Sequence, residues 1–201
     1  MKKGLLITLS IIGVIVLFLI IVGIWSVNTY NGLVSQRENV TKTWSDVESQ
    51  YQRRADLIPN LVNTVKGYAN FEKEVLVKVT EARASVGQIK ATPELVNDPQ
   101  AFQKFQAVQG ELSSALSRLM VTVEKYPDLK ANEQFQNLQV QLEGTENRIN
   151  VARIKYNDVA KDYNTRIKRF PAFIFANIAG FKEVQYFQAA PGSENAPKVE
   201  F

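Results

Sequence analysis

The chain opens with a run of apolar residues that no charged side chain interrupts. Residues 4–27 read GLLITLSIIGVIVLFLIIVGIWSV. As a helix, this run is about 36 Å long, and the hydrocarbon core of a bilayer is about 30 Å thick. We therefore predict a transmembrane helix that contacts the lipid bilayer through residues 4–27, with Trp25 and Tyr30 at the level of the headgroups.

A cleaved signal peptide is the alternative interpretation of this run. The run is longer than the roughly 7–15 apolar residues of a signal peptide, and no small-x-small cleavage motif follows it. The sequence therefore favours an anchor that stays attached. Lys2 and Lys3 precede the run closely, whereas Arg37 and Lys42 follow it at a greater distance. This bias predicts a single-pass protein of the cell membrane with a short cytoplasmic N-terminus and an extracytoplasmic remainder, periplasmic or at the cell surface.

Four further stretches repeat apolar residues every three or four positions, the spacing of one helix face. They cover about 27–56, 59–89, 99–126 and 132–170, and prolines at 59, 93, 99, 127 and 171 mark their limits. Connections this short make neighbouring helices antiparallel. The predicted fold is all-α: an N-terminal transmembrane helix that continues into an elongated antiparallel four-helix bundle.

The last of these helices has a heptad pattern, which Thr145 interrupts. A coiled-coil oligomer is one interpretation, but three partner helices in the same chain favour packing within the molecule. The domain prediction is an anchor over 1–27, a helical bundle over 28–187 and a flexible tail over 188–201. The apolar segment 173–187 either caps the open end of the bundle or dips into the membrane interface.

Composition removes several classes of chemistry. The chain has no cysteine and no histidine, so thiolate nucleophiles, Cys/His metal sites and Ser-His catalysis are excluded. It also lacks a Gly-rich phosphate loop and the D-x-D-x-D-G pattern of calcium loops. The net charge is +4, and interspersed charges form no basic stripe. We expect no cofactor, no metal, no nucleic acid, no small-molecule substrate and no enzymatic activity.

The segment RRADLIPN, residues 53–60, clusters Arg54, Asp56, Pro59 and Asn60 at a predicted turn between helices. A structural role is the favoured interpretation, in which Asp56 caps the second helix and Arg54 pairs with Asp56 or with a carbonyl of the last turn. A recognition patch for a partner protein is the alternative.

Two Tyr-Asn pairs, Tyr156-Asn157 and Tyr163-Asn164, lie seven residues apart on the fourth predicted helix. This spacing places both asparagines on one stripe and both tyrosines on the next. Hydrogen bonding between helices, as buried asparagines do in coiled coils, is favoured over a ligand site. Tyr30-Asn31 is expected near the second pair.

Three segments together resemble the LemA family: WSDVESQYQRRADLIPNLVNTVKGYANFEKEVL with the following TEARA, and later YNDVAKDYNTRIKRFP with GFKEVQYF. The resemblance covers about residues 30–187. It implies a membrane-attached antiparallel four-helix bundle and no established activity. Phe71 stands where the family pattern has a histidine, which argues against a metal ligand at that position.

The favoured function is a membrane-anchored scaffold or adaptor of the bacterial cell envelope, whose partners are other envelope proteins or further copies of itself. A lipid-binding or membrane-remodelling protein that uses residues 173–187 is the alternative. A hydrolase with paired carboxylates is disfavoured, because Asp46 with Glu48 and Glu72 with Glu74 lie on different helix faces.

Overall fold

The computed structural model describes residues 2–68 and 71–189 of the chain. The described residues form helices and loops and contain no strand, which confirms the all-α prediction. The elements are α1 (Lys2–Lys66), α2 (Lys73–Gly87), a 3₁₀ helix (Pro93–Asn97), α3 (Pro99–Val123), α4 (Pro127–Lys130), α5 (Glu133–Lys168) and α6 (Ala172–Ile178). Residues 190–201, most of the predicted tail, lie outside the described residues.

The apolar run and the first predicted bundle helix form one helix. α1 has 65 residues, which corresponds to a length of about 98 Å. Most large apolar side chains from Leu6 to Ile24 are exposed, and the helix from Leu6 is long and apolar enough to cross a membrane. From Leu33 onward, apolar side chains on one face are buried, including Trp44. One helix thus joins the exposed apolar stretch to the protein core.

The predicted turn at Pro59 is wrong, because α1 continues through Pro59 to Lys66. A proline has no N–H to donate to the carbonyl four residues earlier, here that of Ala55. The Arg83 Nε of α2 donates to this carbonyl at 3.1 Å. A side chain from the next helix therefore replaces the missing backbone donor, and the second helix is the 15-residue α2 rather than a helix over 59–89.

The third and fourth predicted helices are confirmed as α3 and α5, each a few residues shorter at its C-terminal end than expected. Both begin at side-chain caps. Asp98 accepts hydrogen bonds from the N–H groups of Gln100 and Ala101, and Asn132 accepts one from Phe135. Short polar residues at this position satisfy donors that have no partner within the helix.

α1 packs along α5, and α2 packs along α3. The buried apolar side chains form two clusters among the described residues. One includes Val40, Trp44, Phe102 and Phe187, and the other includes Ile58, Leu112 and Leu138. Arg54 lies on α1 between the parts of the helix that supply the two clusters, with 1% of its surface exposed.

Candidate functional site

The most extensive polar arrangement on α5 holds the backbone of the C-terminal strap, which we define as residues 181–189. The Asn164 side chain donates to the Val184 carbonyl at 2.9 Å and accepts from the Val184 N–H at 3.0 Å. Asn157 makes the same pair of bonds with Phe187, at 3.0 and 2.9 Å. Each asparagine therefore satisfies both backbone polar groups of one strap residue.

The spacing of these contacts follows from the geometry of the two segments. Two asparagines seven residues apart on a helix are separated by about 10.5 Å along its axis. Residues three apart in an extended chain, as Val184 and Phe187 are, are separated by about 10 Å. The strap runs antiparallel to α5, since Asn157 binds Phe187 and Asn164 binds Val184. The heptad spacing of the pairs therefore matches an extended ligand.

The two tyrosines of the pairs bind two further carbonyls of the strap. The Tyr156 hydroxyl donates to the Gln185 carbonyl at 2.8 Å, and the Tyr163 hydroxyl donates to the Lys182 carbonyl at 2.9 Å. Burial raises the pKa of both phenols above the usual value of 10.0, because desolvation disfavours the phenolate. Both hydroxyls are therefore protonated donors at neutral pH.

Two strap side chains are buried in the protein, since Val184 is 2% and Phe187 6% exposed. The Phe187 ring stacks on Trp44 at 6.0 Å between ring centroids and contacts Phe102 and Tyr156 at 5.1 and 5.6 Å. The Arg153 guanidinium lies 4.6 Å from its centroid and donates to the Gln188 carbonyl at 3.1 Å. We call the side chains of Arg153, Tyr156, Asn157, Tyr163 and Asn164 the α5 cradle.

The expected bonding of these asparagines between helices is thus replaced by bonding to an extended segment. The sequence did show the regular spacing of Asn157, Tyr163 and Asn164, but it did not show which segment they bind. Tyr30 contacts the Phe181 ring at 5.9 Å, where the strap begins. The strap residues Val184 and Phe187 were not predicted as site residues. The only signal for them is a match of lengths, because seven residues of helix and three residues of extended chain cover nearly the same distance.

A second polar site surrounds Arg54. Its guanidinium Nη1 donates to the Ser113 hydroxyl and to a Glu146 carboxylate oxygen, each at 2.8 Å. Nη2 bonds the Gln109 side-chain oxygen, and the group lies 5.1 Å from the Tyr51 ring centroid. Arg54 therefore ties α1 to α3 and α5. The proposed pairing of Arg54 with Asp56 or with a last-turn carbonyl is wrong.

The other polar residues of the RRADLIPN segment are exposed. Asp56 is exposed and accepts a hydrogen bond from Gln52 at 2.8 Å, so it caps no helix start. Asn60 is exposed one residue after Pro59. Asp56 and Asn60 line a shallow surface depression with Arg53 and with Gln141 of α5. The structure thus separates this cluster into a buried arginine and an exposed polar surface.

α6 lies beside the end of the apolar run. The ring of Phe175 contacts Trp25 at 5.1 Å between centroids. Ala172 and Ala176 are buried, whereas four large apolar side chains in and next to α6 are exposed: Phe170, Phe173, Ile174 and Ile178. Residues 173–187 therefore divide into two parts, with α6 beside the apolar run of α1 and the strap against α5.

The acidic pairs considered for a hydrolase contain carboxylates that form ion pairs with lysines. Asp46 pairs with Lys155 at 3.2 Å, Glu72 with Lys125 at 3.3 Å and Glu74 with Lys78 at 2.9 Å. Within residues 2–68 and 71–189, no group of three or more carboxylates is placed to hold a metal ion.

These features define an all-helical protein with one long apolar N-terminal helix and a C-terminal strap bound along α5. The chain belongs to the LemA family, whose model matches residues 43–201. This match confirms the resemblance seen in the sequence and leaves the apolar part of α1 outside the matched region. A comparison with curated proteins gives no match.

Proposed function

We propose that the protein is a membrane-anchored helical scaffold or adaptor of the cell envelope, with its N-terminus in the cytoplasm and its folded part outside. The observation that carries the proposal is the continuity of α1 from the exposed apolar stretch to the core. A continuous helix has no flexible linker, so it holds the folded part at a fixed distance from the bilayer. Presenting a surface at a set height is what a scaffold requires.

We infer that α1 beyond residue 27, α2, α3 and α5 form an elongated antiparallel four-helix bundle. Three contacts between α1 and α5 support this arrangement. A Cβ on Gly32 would lie 3.8 Å from Arg166, Asp46 pairs with Lys155, and Arg54 pairs with Glu146. Residue numbers thus rise along α1 while those of the contacting residues on α5 fall. α1 extends about 58 Å beyond residue 27.

The surface around Asp56 and Asn60 is the proposed partner-binding face. It lies far along α1 from the apolar stretch, and its residues are exposed and polar. Since Arg54 is buried, it contributes to this face only by holding α1 against α3 and α5, and it does not contact a partner. A non-catalytic role is part of the proposal, and sustained turnover by the purified full chain in a broad hydrolase screen would contradict it.

Crosslinking in native membranes tests the scaffold proposal. The tagged full chain should capture a defined set of envelope proteins or further copies of itself. A double variant, Asp56→Ala with Asn60→Ala, should lose partners that use this face. The matched control is Asn150→Ala, which removes an exposed amide elsewhere on the molecule. A chain that remains alone and monomeric after mild crosslinking would refute the scaffold.

A lipid-binding role is the second candidate, and the position of α6 favours it. α6 contacts Trp25 and exposes Phe173 and Ile178, and amphipathic segments with such side chains lie in the membrane interface. Exposed Arg166, Arg169 and Lys182 flank α6 and are suited to anionic headgroups.

Vesicle flotation tests this second candidate with a chain that begins at residue 28. We expect it to float with vesicles that contain an anionic phospholipid and to float less with a neutral lipid. Phe173→Asp with Ile178→Asp should abolish flotation, whereas Val140→Asp, which changes an exposed apolar residue of α5, should not. If a truncated chain that keeps its helical circular dichroism fails to float, lipid binding by α6 is excluded.

A further inference from the structure

We propose that the groove along α5 is a peptide-binding site that accepts the strap of a neighbouring copy of this chain, so that copies in one membrane exchange straps. The inference rests on the proposed scaffold function and deepens it by naming the partner. The groove consists of the α5 cradle and the pockets for Val184 and Phe187.

The groove recognises its occupant mainly through the backbone. Strap residues Lys182, Val184, Gln185, Phe187 and Gln188 all have backbone groups bound by side chains of the cradle. Peptide-binding sites obtain affinity from main-chain hydrogen bonds and specificity from pockets for a few side chains. The site therefore selects an extended segment with an aliphatic residue and, three positions later, an aromatic residue.

The occupant that meets every requirement is the same segment of a second copy. An exchanged strap keeps its hydrogen bonds to the α5 cradle, the burial of Val184 and Phe187, and the stacking of Phe187 on Trp44. Exchange of an identical element is a low-cost route to dimers, because the contacts within one copy and between two copies are the same.

The connection between α6 and the strap contains the hinge. Gly180 has a φ of +75°, in the region that side chains disfavour, and no atom lies within 4 Å of the position of an added Cβ. The strap after it has no helix or strand, and besides side-chain contacts it makes two backbone bonds to the rest of the chain, from Phe181 N–H to the Ala176 carbonyl and from Gln185 N–H to the Val96 carbonyl. A change of backbone angles at Gly180 therefore redirects the strap, at the loss of the Phe181 bond to the C-terminal end of α6.

Anchoring promotes the exchange. If every copy inserts through α1 in the same orientation, each strap starts at the same height as the groove of its neighbour. Confinement to one membrane also raises the local concentration of copies, which favours a contact between molecules over separate monomers.

The absence of cysteine in the chain permits a direct test. The backbone N–H of Gln188 donates to the Gln106 side chain of α3 at 3.1 Å, so these positions are neighbours when a strap is bound. Two differently tagged full chains, one with Gln106→Cys and one with Gln188→Cys, are expressed together and treated with a short bismaleimide in native membranes. A linked heterodimer forms when one copy's strap lies in the other's groove.

The matched control replaces Gln106→Cys with Lys104→Cys, which is exposed and lies on the opposite side of α3. We expect at least about tenfold more heterodimer with Gln106→Cys than with the control, since a bound strap holds the two thiols at a high effective concentration. A synthetic KEVQYFQ peptide should reduce this linkage, and a scrambled peptide should not.

A chain with both cysteines shows that the variants fold, because it should link within one molecule. Linking it before the tagged copies are mixed in detergent should prevent their exchange. Heterodimer no more abundant than with the control would overturn strap exchange. If other envelope proteins are still captured in that case, the scaffold proposal stands, so the two failures are distinguishable.

Discussion

At the scale of single residues, asparagine can replace a backbone partner completely, because its amide carries the same donor and acceptor as a peptide group. Asn157 and Asn164 use both groups on one strap residue each. A sequence shows that such residues are regularly spaced on a helix, but their amides would fit a neighbouring helix or an extended segment equally well. This ambiguity explains why bonding between helices was predicted.

Asn164→Ala should destabilise the protein strongly. The change leaves the Val184 N–H and carbonyl buried without partners, and each unsatisfied group costs about 1–3 kcal/mol, so we expect a loss of about 2–6 kcal/mol. Asn157→Ala should cost less, since Asn157 is only half-buried. Urea unfolding in detergent measures both, and Asn150→Ala should stay within about 0.5 kcal/mol of the unchanged protein. Equal stability of all three variants would contradict the role of the cradle.

Arg54→Met should also destabilise the protein, because Gln109 and Ser113 lose the guanidinium between them. Glu146 is 44% exposed and can be solvated, so we expect a cost of about 2–4 kcal/mol, less than for a fully buried ion pair. The neighbouring Arg53 is exposed, and Arg53→Met serves as the control in the same unfolding experiment. A similar cost for both would show that the bonds of Arg54 contribute little.

The Pro59–Arg83 relation predicts a specific coupling. Arg83→Met should cost about 0.5–1.5 kcal/mol, because the Ala55 carbonyl loses its donor. In a Pro59→Ala background, residue 59 supplies an N–H to that carbonyl, and Arg83→Met should then cost almost nothing. A double-mutant cycle measures this difference. Additive effects would mean that Arg83 does not compensate for the proline.

At the scale of elements, α5 serves two neighbours. Asp46 and Arg54 of α1 pair with Lys155 and Glu146 of α5, while the Tyr-Asn pairs of the same helix bind the strap. The heptad pattern that predicted a coiled-coil face therefore includes residues such as Tyr156 that contact an extended segment. Periodicity identifies which residues of a helix are buried but not what buries them.

The stability of the strap on α5 should depend on pH in the alkaline range. Burial raises the pKa of Tyr156 and Tyr163, so above the usual value of 10.0 the unfolded chain loses these protons before the folded chain does. The unfolding free energy contributed by the tyrosines is therefore constant below that pH and falls as pH rises above it.

The measurement is the urea midpoint at about pH 9 and about pH 11, on either side of the ordinary tyrosine pKa. Tyr156→Phe with Tyr163→Phe should lose less stability over this interval than the unchanged protein does. Tyr186→Phe, which removes an exposed phenol, should behave like the unchanged protein. If the double variant shows the same alkaline loss, the phenols are not held as donors.

At the scale of the whole molecule, the continuity of α1 connects the apolar run to everything else. α5 packs along α1, and α6 contacts it at Trp25. The orientation of α1 in a membrane therefore decides which side carries the α5 groove and the Asp56–Asn60 surface.

Labelling in intact cells tests this orientation, because the chain has no cysteine of its own. Val140→Cys changes an exposed residue of α5, and a membrane-impermeant maleimide added outside should label it. Lys3→Cys should react only after the cells are opened, as the positive-inside bias predicts. Labelling of Lys3→Cys from outside, with protection of Val140→Cys, would reverse the proposed topology.

The sequence determined the properties that depend on local pattern. The apolar run, the helices near 99–126 and 132–170 and the family resemblance follow from composition, periodicity and residue order along one segment. The second helix was misplaced because a local sequence signal is offset by a residue that is distant in the sequence. Pro59 is a strong signal for a helix limit, and the donor that the Ala55 carbonyl lacks is supplied by Arg83, 28 residues after Ala55.

Only the tertiary structure decided the partners of polar side chains, because hydrogen bonds join residues that are far apart in sequence. Arg54 pairs with Glu146, and Asn164 bonds to Val184. Other partners for Arg54 and Asn164 would be equally compatible with the local sequence pattern. The strap has no periodicity of its own, since most of its backbone bonds are to side chains of α5 rather than to a neighbouring strand or turn. The position of the strap therefore depends on the match between the spacing of side chains on α5 and the spacing of backbone groups in an extended chain. This match exists only when both segments are folded together.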